Sequence, residues 1–245
     1  MTDIVLYDHP ASICSQMARL ALVEKAVPFR RVTVDIMDTN EQFEPWYVAL
    51  NPKAVVPTLV IGDEVVTDTI NIVNWAQALN GPDLSGGPTT QDWLKDIMAP
   101  HYGVLLYRNR LDEDGTAPQI TARGRLLRKM LQDQPDMAAL LEGRIAGNAR
   151  FQELLRDPQA IERHLASTKA LVQRMIGAVE SQPFLTGPAY SMADAFATAA
   201  LARFRVHQLD AWWQGSPLED YYGRMRARPS FAAAGVVETG HEKDM

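Results

Sequence analysis

Cysteine is the scarcest residue in this sequence of 245 residues, because Cys14 is the only one. A single cysteine excludes an internal disulfide and a zinc site built from several thiolates. Folding without disulfides is typical of proteins in a reducing compartment. Hydrophobic residues make up 47% of the chain, which is enough to bury a core without cross-links. We therefore predict a globular protein stabilised by packing, with no bound metal.

The sequence also lacks long apolar runs and an excess of positive charge. No stretch approaches the roughly 20 apolar residues that cross a bilayer, and residues 1–7 lack the pattern of a secretory signal. The formal net charge is -6, whereas nucleic-acid binding requires clustered Lys and Arg side chains. We therefore predict a cytoplasmic protein that binds neither membrane nor nucleic acid.

The apolar pattern changes at about residue 80, in a segment rich in Pro, Gly and Ser. Residues 80–88 read Asn-Gly-Pro-Asp-Leu-Ser-Gly-Gly-Pro and show no periodicity, which is typical of a connector. The sequence thus predicts a first domain over residues 1–80, a linker over 81–90 and a second domain over 91–245.

Strand and helix patterns alternate in the first domain. Strands are predicted over residues 4–7, 29–35, 58–61 and 64–67. Helices are predicted over residues 15–25 and 72–79, with a helical or irregular piece over 41–50. This order favours a parallel crossover followed by an antiparallel hairpin, which together make a thioredoxin-like mixed sheet.

The pattern after the linker is helical throughout. Helices are predicted over residues 91–111, 119–132, 137–155, 158–181, 192–209 and 218–227. The fold class is therefore α/β for the first domain and an all-α helical bundle for the second.

Cys14 lies where the first strand ends and the first helix begins. The N–H groups and the dipole at a helix N-terminus stabilise an anion, so we expect this thiol to ionise more readily than an ordinary cysteine. It would then act as a nucleophile, whereas the alternative is a small buried hydrophobic residue. Three positions further on lies Met17, so the chain has no second thiol to resolve a disulfide at Cys14.

Two further features flank the predicted hairpin. If the Val56–Pro57 bond before the hairpin is cis, the backbone of Val56 can pair with an extended peptide; the alternative is an ordinary turn proline. After the hairpin, Asp68 and Thr69 begin a helix, where they could hold the ammonium and carboxylate of an amino acid; the alternative is a helix cap. Together these features indicate a peptide-like zwitterionic ligand.

These three features, in this order, resemble the glutathione transferase superfamily. Residues 12–15 (Ser-Ile-Cys-Ser) and residues 53–60 are similar to the cysteine-type members of its reductive dehalogenase and zeta (maleylacetoacetate isomerase) branches. The resemblance implies a homodimer in which a thioredoxin-like domain binds glutathione as cosubstrate and the helical domain holds the acceptor. The glutathione-binding residues that it implies are Lys53, Val56, Pro57, Asp68 and Thr69.

The resemblance also implies a reaction, with Ser12 and Cys14 as the catalytic residues. A glutathione thiolate attacks an electrophilic aromatic or quinoid acceptor, and in a reductive branch Cys14 takes up the glutathionyl group as a mixed disulfide that a second glutathione clears. Two alternatives stay open. One is a glutathione-dependent cis-trans isomerase of the maleylacetoacetate type, and the other is a non-catalytic glutathione-binding or protein-binding module.

Candidate acceptor residues lie on the first helix after the linker. Tyr102 and Tyr107 could stack on a phenolic acceptor, and Arg108 could hold its oxygen. The alternative is that these side chains only pack between domains. A segment near residue 191 also resembles the capping box of the family, in which Ser191 caps a helix and Asp194 reaches back to the cap.

Overall fold

The computed structural model describes residues 3–238, which form two compact units. Residues 3–99 and 171–238 make up the first unit, and residues 100–170 make up the second. The first unit contains the sheet and Cys14, so it is the unit that positions the site described below.

The sheet has four strands. In chain order they are β1 (Ile4–Asp8), β2 (Arg30–Thr33), β3 (Thr58–Ile61) and β4 (Glu64–Thr67). Their spatial order is β2-β1-β3-β4; β1 is parallel to β2 and antiparallel to β3, and β3 is antiparallel to β4. The turn of the β3–β4 hairpin contains Gly62 with φ of +57°, a conformation that glycine adopts without steric cost. The predicted thioredoxin-like mixed sheet is confirmed.

Eleven α-helices occur within residues 3–238. They are α1 (Ile13–Glu24), α2 (Pro45–Leu50), α3 (Thr69–Gln77), α4 (Thr90–Met98), α5 (Tyr102–Tyr107), α6 (Pro118–Asp133), α7 (Ala138–Leu155), α8 (Pro158–Val179), α9 (Met192–Val206), α10 (Pro217–Arg226) and α11 (Pro229–Ala233). The part of the chain after the sheet is therefore helical, as its periodicity predicts.

The core of the first unit joins the central strands to α1 and α3. Its buried side chains are Leu6, Ala18, Leu22, Val27, Leu59, Ile72 and Ala76. Each large aliphatic side chain among them contributes roughly 1.5–3 kcal/mol by leaving water. This packing fixes the N-terminal ends of α1 and α3, which carry Cys14 and Thr69.

Helix α9 is buried along nearly its whole length, since residues 192–204 are all shielded from solvent. Its N-terminus carries the predicted capping box. Asp194 accepts hydrogen bonds of 2.8 Å from the backbone N–H and the hydroxyl of Ser191, which confirms that expectation.

The helix predicted over residues 91–111 is wrong as a single element. Helix α4 ends at Met98 and α5 begins at Tyr102. Pro100 lies between them, and proline has no backbone N–H to donate to the preceding turn. His101 then caps α5 by accepting a hydrogen bond of 3.3 Å from the N–H of Val104.

Candidate active site

Cys14 is the second residue of α1, at the N-terminal end predicted from the sequence. Ser12 is the N-cap, and its hydroxyl accepts a hydrogen bond of 3.3 Å from the N–H of Ser15. Cys14 keeps part of its surface exposed, so the residue is not sealed in the interior as a structural cysteine would be.

A cavity of about 440 Å³ opens beside the thiol, within the size range of small-molecule sites. Its lining residues are Cys14, Val55, Val56, Pro57, Asp68, Thr69, Ile70 and Met98. Five of the seven predicted catalytic and glutathione-binding residues thus share one cavity. The other two, Ser12 and Lys53, are not part of the lining. The Val56–Pro57 peptide bond is cis.

Asp68 connects Lys53 to this cavity. Nζ of Lys53 lies 2.5 Å from Oδ2 of Asp68, and both side chains are largely exposed. The Asp68 side chain makes no capping hydrogen bond to α3, so it does not act as a simple helix cap. Its φ of +69° is unusual for a residue other than glycine, and such strain often marks functional sites.

The expected ready ionisation of Cys14 is wrong for the protein without ligand. Burial raises the pKa of the Cys14 thiol above its ordinary value, because a thiolate loses hydration in the cavity wall. A hydrogen bond from the Thr69 hydroxyl and the positive charge of Arg203 lower this pKa, and the negative charge of Asp68 raises it. The sequence indicates that Cys14 lies at a helix N-terminus, which favours the thiolate, but it does not show how deeply the residue is buried. The direction predicted for the pKa shift of Cys14 is therefore the opposite of the one that the structure gives.

Sequence analysis missed four residues of the site. Val55, Ile70 and Met98 also line the cavity. Nothing in the local sequence of Ile70 or Met98 separates them from core residues. Arg203 is only 6% exposed within the apolar run of α9. An arginine directly after the apolar residues 199–202 is a signal that the sequence does offer, since arginine is rarely fully buried.

The three candidate acceptor residues belong to the second unit, and none of them is among the residues that line the cavity beside Cys14. Tyr107 packs edge-on against Phe151, with ring centroids 6.0 Å apart, and burial raises its pKa. Arg108 donates a hydrogen bond to the carbonyl of Leu105 in its own helix. Their role toward an acceptor stays a prediction.

Residues 3–238 also bear on metal binding and on membrane crossing. No group of three or more His, Cys, Asp or Glu side chains in this range is arranged to hold a metal ion. In the same range, no helix combines the length and the apolar character that crossing a bilayer requires.

Comparison with known proteins agrees with this geometry. Residues 11–79 match the family described as the N-terminal domain of glutathione S-transferase. The chain is 32% identical over 242 residues to the tetrachloro-p-hydroquinone reductive dehalogenase of Sphingobium chlorophenolicum, covering 97% of each chain. It is 34% identical over 80 residues to a probable maleylacetoacetate isomerase of Caenorhabditis elegans, covering 33% of this chain and 36% of that one.

A solved structure shows the same fold. The beta-etherase of Sphingobium sp. strain SYK-6 superposes with a TM-score of 0.70 at 18% identity, covering 94% of this chain and 98% of that one. A thioredoxin-like sheet followed by helices, with a cavity at the start of α1, defines the glutathione-dependent transferases as a class. Because it matches a relative along nearly its whole length, this chain belongs to the glutathione S-transferase family and is an enzyme.

Proposed function

We propose that this enzyme uses glutathione to reduce an electrophilic aromatic or quinoid acceptor through a mixed disulfide between Cys14 and glutathione. The observation that carries the proposal is the shared cavity, which places the thiol of Cys14 beside Val56, Asp68 and Thr69. A relative that aligns along nearly the whole chain is named as a reductive dehalogenase of a halogenated hydroquinone, which is an acceptor of this class.

The charges at the cavity fit glutathione, a tripeptide with an ammonium group at one end and carboxylates at both. The exposed pair of Lys53 and Asp68 offers one positive and one negative group within 2.5 Å of each other. Binding would open this ion pair, because the two ends of an extended tripeptide lie several ångströms apart. Lys53 would then pair with the glycyl carboxylate and Asp68 with the γ-glutamyl ammonium. The backbone of Val56 would pair with the cysteinyl residue, and Thr69 would hold the γ-glutamyl carboxylate.

The first chemical step forms a carbon–sulfur bond. A glutathione thiolate attacks the electrophilic carbon of the acceptor and displaces a leaving group such as halide, which departs with its electron pair. Ser12 would stabilise the attacking thiolate. Its hydroxyl oxygen already accepts one hydrogen bond from Ser15, and a hydroxyl can still donate its own proton.

The second step uses Cys14. Its thiolate attacks the sulfur of the conjugate, so a sulfur–sulfur bond forms, the carbon–sulfur bond breaks and the ring carbon takes up a proton. The ring gains two electrons and the two sulfurs lose them. A second glutathione thiolate then attacks the mixed disulfide, which frees Cys14 and yields oxidised glutathione. The chain has no other cysteine, so this last step requires an external thiol.

The variant Cys14→Ser tests this sequence of steps. We expect it to form the aryl-glutathione conjugate but to release reduced aromatic product and oxidised glutathione at least roughly a hundredfold more slowly. Intact mass spectrometry of the wild type, mixed with a conjugate and no free glutathione, should show one glutathionyl adduct on Cys14. An unmodified Cys14 together with full reductive turnover by the variant contradicts the proposal.

A second candidate is cis-trans isomerisation, which the similarity to a probable maleylacetoacetate isomerase over 80 residues favours. In that reaction glutathione adds to the substrate and leaves unchanged, so no oxidised glutathione accumulates. Measurement of oxidised glutathione per turnover separates the two activities: one molecule per product is expected for reduction and none for isomerisation.

Two coarser expectations also stay proposals. We infer a homodimer and a cytoplasmic location from the habits of the family. Light scattering after size-exclusion chromatography would test the first, with a mass of twice 27.3 kDa expected. Fractionation of the producing cells would test the second.

A further inference from the structure

The loop between β1 and α1 is held by buried side chains through its backbone carbonyls. Arg19 donates to the carbonyls of His9 at 3.4 Å and Pro10 at 3.2 Å, and Gln16 donates to that of Pro10 at 3.0 Å. Both donors belong to α1. The next carbonyl, that of Ala11, accepts a hydrogen bond from Arg203, which reaches it from α9.

Arg203 is costly to bury, which indicates a specific role. It directly follows the Ala and Leu residues of positions 199–202 in α9, and it is only 6% exposed. Taking a guanidinium out of water is unfavourable by several kcal/mol unless partners replace its lost hydration, and the carbonyl of Ala11 is one such partner. The carbonyl that it reaches belongs to a residue three positions before Cys14.

The groups outside α1 that act on the charge of Cys14 come from two helices that pack against α1. Asp68 and Thr69 belong to the start of α3, and Arg203 belongs to α9. Of these three residues, Arg203 is the one that carries a positive charge. Met98, from α4, contributes only an apolar wall to the cavity.

We propose that Arg203 is a positioning residue for Cys14: it fixes the loop before α1 through Ala11 and stabilises the negative charge that develops on the sulfur during turnover. This inference rests on the proposed role of Cys14 in the reaction. The charge of Arg203 is consistent with this role, because it lowers the pKa of Cys14 against the effect of burial.

The test is the pH dependence of Cys14 alkylation by iodoacetamide, measured without glutathione or acceptor. Because the chain has one cysteine, the labelled thiol is unambiguous. We expect Arg203→Met to move the alkylation midpoint to higher pH and to slow labelling at pH 7.5 by roughly three- to tenfold. Arg203→Lys should keep the wild-type midpoint, since it keeps the charge. Arg205→Met, on the exposed side of the same helix, is the matched control and should behave as wild type.

A turnover assay adds a second measurement. Arg203→Met should lower kcat with little change in the KM for glutathione, because the groups proposed to hold glutathione are intact. If the methionine variant does not fold, Arg203→Gln replaces it, since glutamine can still donate to Ala11 without a charge. Equal alkylation midpoints for the Gln and Lys variants would overturn the proposal. A shifted midpoint with undiminished turnover in Cys14→Ser would instead reject the proposed function alone.

Discussion

At the scale of single residues, the ionisation of Cys14 depends on a balance of opposing contacts. Burial disfavours the thiolate, and Asp68 adds a repulsive negative charge, whereas the Thr69 hydroxyl and Arg203 favour it. Asp68 and Thr69 are adjacent in the chain but act in opposite directions. Substitutions at these two positions should therefore separate their effects.

We expect Thr69→Val to raise the pKa of Cys14 further and Asp68→Asn to lower it. The first removes a hydrogen bond to the sulfur, and the second removes a nearby negative charge. Labelling by iodoacetamide at pH 8 should slow by about fivefold in Thr69→Val, which corresponds to a hydrogen bond of ~1 kcal/mol. Thr67→Val, on β4, is the control and should label as wild type. Shifts of the same sign in both variants would contradict this account.

At the scale of elements, Ser12 has two roles at the start of α1. Ser12 caps the helix through its bond to Ser15, and it is also proposed to stabilise the glutathione thiolate. A cap requires only an acceptor oxygen, whereas stabilising a thiolate requires a donor. The two functions can therefore be separated by substitution.

Ser12→Ala should lose both functions, Ser12→Thr should keep both, and Ser12→Asp should keep only the cap. Chemical denaturation should show a loss of about 1 kcal/mol in the free energy of unfolding for Ala and little loss for Asp. Steady-state kinetics should show wild-type kcat for Thr and a kcat lowered by at least about tenfold for both Ala and Asp. Full activity of the Asp variant would show that Ser12 is a cap and nothing more.

The ion pair between Lys53 and Asp68, at the start of α3, leads to a further prediction. Lys53→Gln should raise the KM for glutathione by at least about tenfold, because a charged hydrogen bond to a carboxylate is worth roughly 1.5–3 kcal/mol. The stability of the protein should change by less than about 1 kcal/mol, since both partners in the ion pair are exposed. Lys95→Gln on α4 is the control. An unchanged KM in Lys53→Gln would remove Lys53 from the proposed site.

These elements also show what could be predicted from the sequence. The β3–β4 hairpin matches its predicted bounds, because alternation and a turn glycine are local signals. The break at Pro100 was missed because apolar spacing continues across it, although the proline itself was visible. The pairing of Lys53 with Asp68, the depth of Cys14 and the reach of Arg203 to Ala11 depend on contacts between distant segments, which one sequence does not contain.

At the scale of the whole molecule, the last described segment is anchored to the helix that carries Cys14. Glu24, near the end of α1, accepts hydrogen bonds of 2.7 and 2.6 Å from Arg228 and a further one from Ser230. Arg19 donates to the carbonyls of Ala234 and Gly235. Residues 228–235 are thus tied to α1 by two of its charged side chains.

This anchor predicts a pH-dependent stability. Burial raises the pKa of Glu24, but the hydrogen bonds from Arg228 and Ser230 outweigh it and hold the pKa below the ordinary value of 4.5. Its stabilising contribution is therefore present above pH 4.5 and is lost as the pH falls through the lowered value.

Urea unfolding of Glu24→Gln tests this contribution. The variant should lose roughly 1.5–3 kcal/mol of unfolding free energy at pH 7 and less than that near pH 3.5. Glu64→Gln, an exposed position on β4, should change it by less than about 0.5 kcal/mol at both pH values. A loss in Glu24→Gln that is equal at the two pH values would contradict the electrostatic anchor.

The burial of Cys14 also affects how readily the thiol is oxidised. Peroxides oxidise thiolates far faster than thiols, and they need access to the sulfur. Burial raises the pKa of the Cys14 thiol, so it lowers the share of thiolate that a peroxide can attack. We therefore expect this burial to slow the conversion of Cys14 to sulfinic or sulfonic acid, which glutathione cannot reverse.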